Sequence, residues 1–586
     1  MTTNFKENLS LIILLIIIGF FVYAFNLNDL LFWDDTDWIV NNPFVHSFSL
    51  ENVKNWFTQN ILAGIGLSSN YYRPFLLFTF TLNYIFGGDS PFGYHLLSNA
   101  FHIANAILIF LLLFSVFKNK FISFWASLIW LVHPLQTEAV TYVSGRGDPL
   151  NIFFMLLALF ILMENNFRLS LVPCLLSLVS LVLALLSRET AVISPLLFMV
   201  FYIAFISRER FLRSVKTSFV KALPYFGIVF VYGILRLTVL NFENTLNFYS
   251  RSNPYADSLL VRMYTFMNVL WTYVELMILP LGQHMERSVT IYTYFWNLPV
   301  FLASLAIVIL LYCLIAMYRR EQKNNLTIKQ FSHFRVCFFA VGWFFTNLLM
   351  TSGITPINAQ LYEHWLYLAL LGPLVLVIYY LCRIFEKFDK KIVKVLITLL
   401  LVFITIFFST LSIKRNILWG KPIEFFEDIL KYESEGARIN NNLGNLYYNK
   451  GDIEKAEEYY WKSVSVEDNF PQPHFNLGSI LHDRGDIRGA VVEFKKAIEI
   501  DPNFPYAYQR LAVIYAGQGD LINAADALEK TKIITPHNTL IYYNLALIYI
   551  ERNDLDSAYN NLQEGLKYSH LDPETDALIR ELLEKF

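Results

Sequence analysis

Apolar runs close to twenty residues long dominate the first 415 residues of this sequence. That is the length a helix needs to cross the hydrocarbon core of a bilayer, where only helices and closed barrels satisfy every backbone polar group. Composition agrees, because charged residues make up 16% of the 586 residues, against about 25% in soluble domains. We predict a polytopic bundle of about eleven spans, at 9–27, 94–117, 121–132 with its continuation, 150–164, 169–186, 190–206, 219–240, 297–318, 334–350, 362–381 and 392–413.

The charges of the short loops indicate which side of the membrane each segment occupies, because cytoplasmic loops carry an excess of Lys and Arg. The stretch 262–281 is apolar enough to span but contains Arg262, Glu275 and Pro280. If it re-enters or stays in the interface, every basic loop lies on the same side. We therefore predict that it does not cross, and that the first loop (28–93) and the C-terminal domain lie outside. The basic loops are Lys118–Lys120, Arg168, Arg208–Lys221, Arg319–Lys329 and Arg383–Lys394.

The C-terminal part of the chain repeats with a period of 34 residues. The repeated pairs are Leu443-Gly444, Leu477-Gly478, Leu511-Ala512 and Leu545-Ala546, and the repeated turns are Gly451-Asp452, Gly485-Asp486, Gly519-Asp520 and Asn553-Asp554. This pattern resembles tetratricopeptide repeats, helix-turn-helix units that stack into a solenoid with a concave binding surface. The sequence thus predicts an all-α protein with a membrane domain (1–415), a linker (416–436), and four repeats plus a C-terminal helix (437–586).

Polar side chains concentrate at the loops and helix ends predicted to lie outside. Such residues are costly beside a bilayer unless they are solvated, paired or functional. Their one-sidedness favours a site, because residues that only tie helices together have no reason to prefer a side. The clusters are Asp34 and Asp35; Tyr71, Tyr72 and Arg73; His95, Asn99 and His102; Glu138, Arg146 and Asp148; Arg188 and Glu189; and Glu363 and His364.

Three of these clusters also have a structural interpretation. Asp34 and Asp35 are either part of a solvated loop or helix cap, or a general base or metal site at the mouth of a cavity. His95, Asn99 and His102 share one helix face at i, i+4 and i+7, so they either line a polar cavity or tie helices together. Arg146 either contacts a ligand or forms an ion pair inside its own loop, with Asp148 or Glu138.

Several segments match a known family: Asp34-Asp35 with Asn42, Tyr72-Arg73-Pro74, Tyr94-His95-x3-Asn99-x2-His102, His133-Pro134-x2-Thr137-Glu138-Ala139-Val140 and Ser144-Gly145-Arg146-Gly147-Asp148. With the repeats, they resemble the C-type (GT-C) membrane glycosyltransferases, and more closely the transmembrane and tetratricopeptide-repeat O-mannosyltransferases. The likeness covers nearly the whole chain. Two positions differ, since Arg188-Glu189 stands where the family has Lys-Glu, and Glu363-His364 stands where it has an acidic residue and Arg.

The resemblance implies transfer of a sugar, such as mannose, from a polyprenyl-phosphate donor to a protein Ser or Thr hydroxyl, with inversion. Asp34 or Asp35 is then the general base, and Glu138 positions the acceptor or the base. The leaving phosphate needs a fixed cation, for which Arg188 is our first choice because its planar fork suits phosphate. No cofactor is required, although a divalent metal would also fit. The remaining expected roles are donor binding by Arg146, Arg73 and Glu189, and acceptor or cavity lining by His95, Asn99, His102, Asp148, Glu363 and His364.

Other functions remain open at this stage. One is a GT-C transferase acting on a glycan or lipid, against which the repeats favour a protein acceptor. Another is a non-catalytic transporter or scaffold with a peptide-binding repeat domain, although transporters usually show repeated sets of spans and helices broken at mid-membrane. The net charge of -2 gives no indication of nucleic acid. We expect a bacterial inner membrane protein with its site and repeats on the periplasmic face.

Overall fold

The computed structural model describes residues 7–65, 67, 69–168, 170–242, 254–323, 332–354, 357, 359–388, 390–536, 538–568 and 573–586. Across these residues the regular structure is helical and contains no strand, which confirms the all-α prediction. The α-helices of the membrane domain are Leu9–Tyr23, Leu50–Thr58, Pro74–Gly87, Pro91–Phe117, Lys120–Val132, Thr137–Thr141, Gly147–Glu164, Leu171–Ser187, Ser194–Phe201, Phe211–Leu237, Pro254–Asp257, Leu259–Ile278, Leu298–Lys323, His333–Asn347, Leu366–Ala369, Leu371–Lys387 and Lys391–Trp419.

Seven helices of the described part are long and apolar enough to cross a membrane, or eight if the bent pair Glu363–Ala369 and Leu371–Lys387 forms one span. The protein is therefore a multi-pass membrane protein. The count is below the predicted eleven because the segments 121–132, 169–186 and 334–350 form helices of only 13 to 17 residues. Such helices are about 20–26 Å long, whereas the hydrocarbon core of a bilayer is about 30 Å thick. The helix Leu259–Ile278, predicted not to cross, is not among the seven.

The spans differ in how much of their surface the protein covers. Within the most apolar 18 residues of each span, 67% are buried in Pro91–Phe117 and 72% in Val143–Glu164. In Leu298–Gln322 the share is 11%, and in Lys391–Trp419 it is 22%. Apolar helices that the protein covers so little suit contact with lipid. Pro91–Phe117 and Val143–Glu164 therefore form the centre of the bundle, and Leu298–Gln322 and Lys391–Trp419 lie at its edge.

The repeat domain consists of paired helices, as predicted. The Asp of each repeated turn caps the second helix of its pair by accepting a hydrogen bond from the backbone N–H three residues later, which satisfies an otherwise unpaired donor. The helices are Ala437–Asn449, Ile453–Val466, Pro471–Asp483, Ile487–Ile500, Pro505–Gly517, Leu521–Ile534, Thr539–Glu551, Leu555–Gly565 and the C-terminal Pro573–Leu583.

Residues 416–436, predicted as a linker, are instead part of a packed core. The last span continues to Trp419, and the helix Pro422–Leu430 follows directly. One apolar cluster, here called the shared core, joins this helix to the first loop and to the first two repeats. The repeat domain is therefore fixed against the membrane domain. The shared core consists of Phe32, Met285, Trp419, Phe425, Phe426, Ile429, Ile439, Leu443, Tyr447, Ala456, Tyr460, Leu477 and Ile480.

Candidate functional site

The first-loop acids lie within a locally irregular backbone. Trp33 has φ 62°, a left-handed conformation that is costly for a bulky residue and persists only where packing enforces it. Its ring rests on Phe426 of the shared core, with 5.1 Å between the ring centroids. Thr36–Val40 then forms a single π-helical turn, a feature frequent at functional sites. Asp34 and Asp35 lie between these two features, so the shared core sets their position.

The two acids have different surroundings. Asp35 is 2% exposed, and its Oδ1 accepts hydrogen bonds from the N–H and Oγ–H of Ser144 at 2.7 and 2.5 Å. Burial raises the pKa of Asp35 to about 7. Asp34 is half-buried and accepts a hydrogen bond from Tyr142. Burial raises the pKa of Asp34, and the Tyr142 hydroxyl and the charge of Arg438 only partly oppose this. Asp34 is therefore the acid that a ligand can reach.

Glu138 lies on the short helix Thr137–Thr141 and is 1% exposed. Its Oε1 accepts from Nδ1 of His364 at 2.6 Å, and its Oε2 accepts from the backbone N–H of Glu363 at 3.1 Å. Burial by itself raises the pKa of Glu138, but the contacts with His364 and the charge of Arg415 together hold that pKa below its ordinary value. Nε2 of His364 in turn accepts from Arg188 at 3.1 Å. His364 therefore connects a buried carboxylate to a cation.

Two arginine–carboxylate ion pairs involve residues that are adjacent in the chain, Arg188 and Glu189. Arg188 pairs with Asp148, and its neighbour Glu189 accepts from Nε of Arg73 at 3.2 Å. The guanidinium of Arg73 also lies over the ring of Tyr71, 4.6 Å from the centroid. Together with the bonds of Asp35 and Glu138, these pairs link the outer polar segments, which are far apart in sequence, into one cluster. A carboxylate that can accept a proton and two fixed cations therefore lie at the same end of the bundle.

Arg146 is placed differently from both of its sequence interpretations. Its side chain is fully buried, and its guanidinium donates to Ser98, Thr79 and the carbonyl of Tyr94 at 2.8–3.2 Å. The proposed ion pair with Asp148 or Glu138 is wrong, because those acids pair with Arg188 and His364. Arg146 acts on the site only through its charge, which reaches Asp35.

The polar face of Pro91–Phe117 ties helices together. His95, Asn99 and His102 are each 2% exposed or less. Their contacts join this helix to the end of the first span, the first loop, and the helices Leu366–Ala369 and Lys120–Val132, which matches the structural interpretation of these residues. His95 donates to the carbonyl of Asp29 at 3.1 Å, Asn99 donates to Asn26 at 2.8 Å, and His102 accepts from the Tyr367 hydroxyl at 2.7 Å and donates to the carbonyl of Leu131 at 2.9 Å.

Glu363 is buried and supports neighbouring residues of the site, so it is not accessible to a ligand. It is 1% exposed and accepts from Arg287 at 3.0 Å and from Gln283 at 2.9 Å. Sequence reasoning missed its neighbour Arg415, whose charge acts on both Glu363 and Glu138. A basic residue just beyond the outer end of a span runs against the usual charge bias of outer segments, and that signal could have identified Arg415.

Sequence reasoning also missed Tyr142 and Arg438, which both act on Asp34. Arg438 comes from the first repeat, so the repeat domain contributes directly to this site. Within the residues that the structure covers, no group of three or more His, Cys, Asp or Glu side chains is arranged to hold a metal ion.

The fold and the site thus define a class: an all-helical, multi-pass membrane protein whose tetratricopeptide repeats are docked beside a polar cluster. A family model described as "Tetratricopeptide repeat" matches residues 437–470, and one described as "TPR repeat" matches 478–519. The chain resembles proteins named protein O-mannosyl-transferases, as the sequence motifs predicted.

One such relative, protein O-mannosyl-transferase F38B6.6 of Caenorhabditis elegans, is 26% identical over 456 residues, which is 75% of this chain and 60% of the relative. Another, TMTC3 of Mus musculus, is 38% identical over 130 residues, covering 22% of this chain and 14% of the relative. The chain therefore spans at most about 60% of these relatives. A solved structure of the MamA protein matches 26% of this chain and 83% of its own at 23% identity, with a TM-score of 0.23.

Proposed function

We propose that this protein is a membrane glycosyltransferase that transfers a sugar, mannose by analogy with its relatives, from a polyprenyl-phosphate donor to a Ser or Thr hydroxyl of a protein. The observation that carries the proposal is the single cluster in which Asp34 lies at the same end of the bundle as the cations Arg73 and Arg188. Sugar transfer from a lipid phosphate needs both a base for the acceptor and positive charge for the leaving group.

In the proposed step, Asp34 takes the proton of the acceptor hydroxyl as its oxygen attacks the anomeric carbon. The bond between that carbon and the phosphate oxygen breaks, and polyprenyl phosphate leaves with the electron pair, so the configuration inverts. A carboxylate with a raised pKa suits this role, because it is a stronger base than an ordinary carboxylate. Asp35 is a positioning residue, since both of its bonds hold Ser144.

Arg188 and Arg73 are the residues we assign to the leaving phosphate. Each is held by a carboxylate, so each presents a guanidinium in a fixed orientation, and a fixed donor stabilises developing charge without reorganising. Glu138 orients His364, which in turn contacts Arg188. The proposed orientation follows from the basic loops: the site faces away from the cytoplasm, which in a bacterial inner membrane is the periplasmic side.

The repeat domain favours a protein acceptor over a glycan or lipid. The charge of Arg438, in the first repeat, acts on Asp34, so a polypeptide bound to the repeats would be held at the end of the bundle that carries the base. The transporter and scaffold alternatives account for neither the raised pKa of Asp34 nor the two fixed cations at the same end of the bundle.

The test is sugar transfer by the purified full chain in lipid nanodiscs, with several polyprenyl-phosphate sugars and a Ser/Thr-containing peptide, followed by mass spectrometry of the peptide. We expect Asp34→Asn to lower the rate about 10²- to 10⁴-fold, the usual contribution of a general base. Asp89→Asn, at an exposed acid of the same loop, is the matched control. Full activity of Asp34→Asn, or no transfer from any donor, contradicts the proposal.

A further inference from the structure

A short irregular segment of the membrane domain also contacts the repeat domain. It comprises residues 282–288, between the helices Leu259–Ile278 and Leu298–Lys323, and we call it the strap. Its Met285 belongs to the shared core. Glu286 has φ 60°, a left-handed conformation that is uncommon for a residue other than glycine. Such a conformation costs free energy and persists only where surrounding contacts hold it, so the contacts on both sides of the strap fix its course.

On the side of the membrane domain, three donors of the strap converge on one buried carboxylate, that of Glu363. The donors are Nε2 of Gln283 at 2.9 Å, the backbone N–H of His284 at 3.0 Å and Nη2 of Arg287 at 3.0 Å. A buried carboxylate is costly unless it is paired and hydrogen-bonded. The strap supplies both the charge and the hydrogen bonds, so Glu363 keeps its position only while the strap keeps its own.

On its other side the strap contacts the first repeat and the turn that precedes it. Oε1 of Glu286 accepts from Nη1 of Arg438, in the first repeat, at 2.9 Å. Glu433, in the turn before that repeat, accepts from the backbone N–H of Ser288 at 2.9 Å, and Nε2 of His284 lies 3.3 Å from the same carboxylate oxygen. The position of the first repeat therefore determines where the strap lies.

Glu363 connects the strap to the proposed phosphate site. Its backbone N–H donates to Oε2 of Glu138, and Nδ1 of the next residue, His364, donates to Oε1 of the same carboxylate. Nε2 of His364 accepts from Arg188 at 3.1 Å. Because Glu363 and His364 are adjacent and share one buried partner, they cannot shift independently. An unbroken series of direct contacts thus runs from Arg438 through the strap to Arg188.

We propose that the strap is a positioning element: it passes the docked position of the first repeat to His364 and so fixes the guanidinium of Arg188 for the leaving phosphate. This proposal rests on the proposed function, which it deepens by naming what orients the phosphate cation. Charge on the leaving phosphate develops in the transition state, so a loosened strap lowers kcat and leaves the KM of the donor nearly unchanged. A strap that only stabilised the fold would not act through Arg188.

The first experiment measures the kinetics of the full chain in nanodiscs with a polyprenyl-phosphate sugar and a Ser/Thr-containing peptide. We expect Arg287→Gln to lower kcat about tenfold, because a hydrogen bond to a charged group is lost, with donor KM within about twofold of wild type. In the Arg188→Lys background, where the planar fork is already absent, the same substitution should lower kcat about twofold or less. Glu275→Gln, at an exposed acid of the helix before the strap, is the matched control.

The second experiment needs no turnover and leaves the bonds to Glu363 in place. Hydrogen exchange of Glu286→Gln, which weakens only the contact with Arg438, is compared with that of the wild type by mass spectrometry. An ion pair as exposed as this one contributes up to about fivefold to an opening equilibrium. We expect exchange about two- to fivefold faster in residues 281–289 and also in residues 360–366, which include the N–H of Glu363. The helix Leu521–Ile534 of the third repeat is the internal control and should exchange at the wild-type rate.

The proposal is overturned if faster exchange stays confined to residues 281–289 or appears in neither segment, because the strap then transmits nothing to His364. Wild-type kcat in Arg287→Gln overturns it as well. So does a tenfold loss that persists undiminished in the Arg188→Lys background, because the strap then acts independently of the phosphate cation. Failure of the proposed function has a different result: both segments exchange faster in Glu286→Gln, yet the wild type transfers no sugar from any lipid-linked donor.

Discussion

Replacing Arg188 tests the site most directly, because two residues hold its guanidinium. It pairs with Asp148 and donates to His364 at 3.1 Å, and its side chain is 13% exposed. Arg188→Gln removes the charge, whereas Arg188→Lys keeps the charge but loses the planar fork that makes both contacts. The two variants therefore separate the contribution of charge from that of geometry.

The expected magnitudes follow from those contacts. Removing one preorganised group that stabilises developing negative charge costs about 10²- to 10³-fold in kcat, or about 2.7–4 kcal/mol, and we expect this of Arg188→Gln. For Arg188→Lys we expect about a tenfold loss, because only one hydrogen bond to a charged group, worth about 1.5 kcal/mol at the low end, is given up. Arg188→Gln also leaves Asp148, which is 6% exposed, without its cation, so its thermal midpoint should fall.

The double variant Arg188→Gln/Asp148→Asn separates catalysis from folding. It removes the unpaired buried charge, so the thermal midpoint should recover toward the wild-type value while kcat stays low. The assay is the initial rate of peptide glycosylation at saturating donor, with Arg208→Gln as the control at an exposed arginine. If the double variant regains wild-type kcat, Arg188 only neutralises Asp148 and our assignment of the phosphate site is wrong.

Three further predictions concern the support of the site. In His364→Ala, Glu138 loses a contact that lowers its pKa. A lowered pKa adds stability that is fully present above the unfolded value of about 4.3 and is lost as pH falls through the folded value. The gap in thermal midpoint from wild type should therefore be widest at neutral pH and shrink as pH falls below about 4.3, and a constant gap would contradict this. Gly444→Ala places a Cβ 2.4 Å from the ring of Tyr460. We therefore expect it to lower the free energy of unfolding by about 1–3 kcal/mol, measured by thermal or urea unfolding. Gly517→Ala is the neutral control, because a Cβ at that position meets nothing within 4 Å. Because fixed arginines supply the positive charge in our proposal, transfer should persist after dialysis against a chelator; a loss restored by magnesium or manganese would assign that role to a metal.

The parts of the fold that were predictable depend on short-range patterns. An apolar run fixes a span within its own twenty residues, and the 34-residue period fixes a repeat from its Leu-Gly and Asp positions alone. Three of the predicted spans show the limit of this signal, because the helices Lys120–Val132, Leu171–Ser187 and His333–Asn347 are shorter than a bilayer requires. Hydropathy identifies an apolar helix, whereas its depth and tilt depend on neighbouring helices.

The pairing of charges was not predictable, because it depends on which helix ends meet. Sequence proximity suggested that Arg146 pairs with Asp148 two residues away, yet Asp148 pairs with Arg188, 40 residues further on. Arg146 instead donates to Ser98, Thr79 and the carbonyl of Tyr94, none of which is near it in sequence. Likewise, nothing in residues 416–436 indicated that Phe425 and Phe426 would pack under Trp33.

That packing has a consequence for how the two halves of the protein are related. Trp33 has a costly backbone conformation that surrounding packing must support, its ring contacts Phe426 and Tyr142, and Asp34 is the next residue. The segment that orients the proposed base is thus held by residues that belong to the same apolar core as the first two repeats. A repeat domain attached by a flexible linker would only raise the local concentration of an acceptor. Here its core also packs against the segment that carries Asp34, so in our proposal acceptor binding and the placement of the base depend on the same contacts.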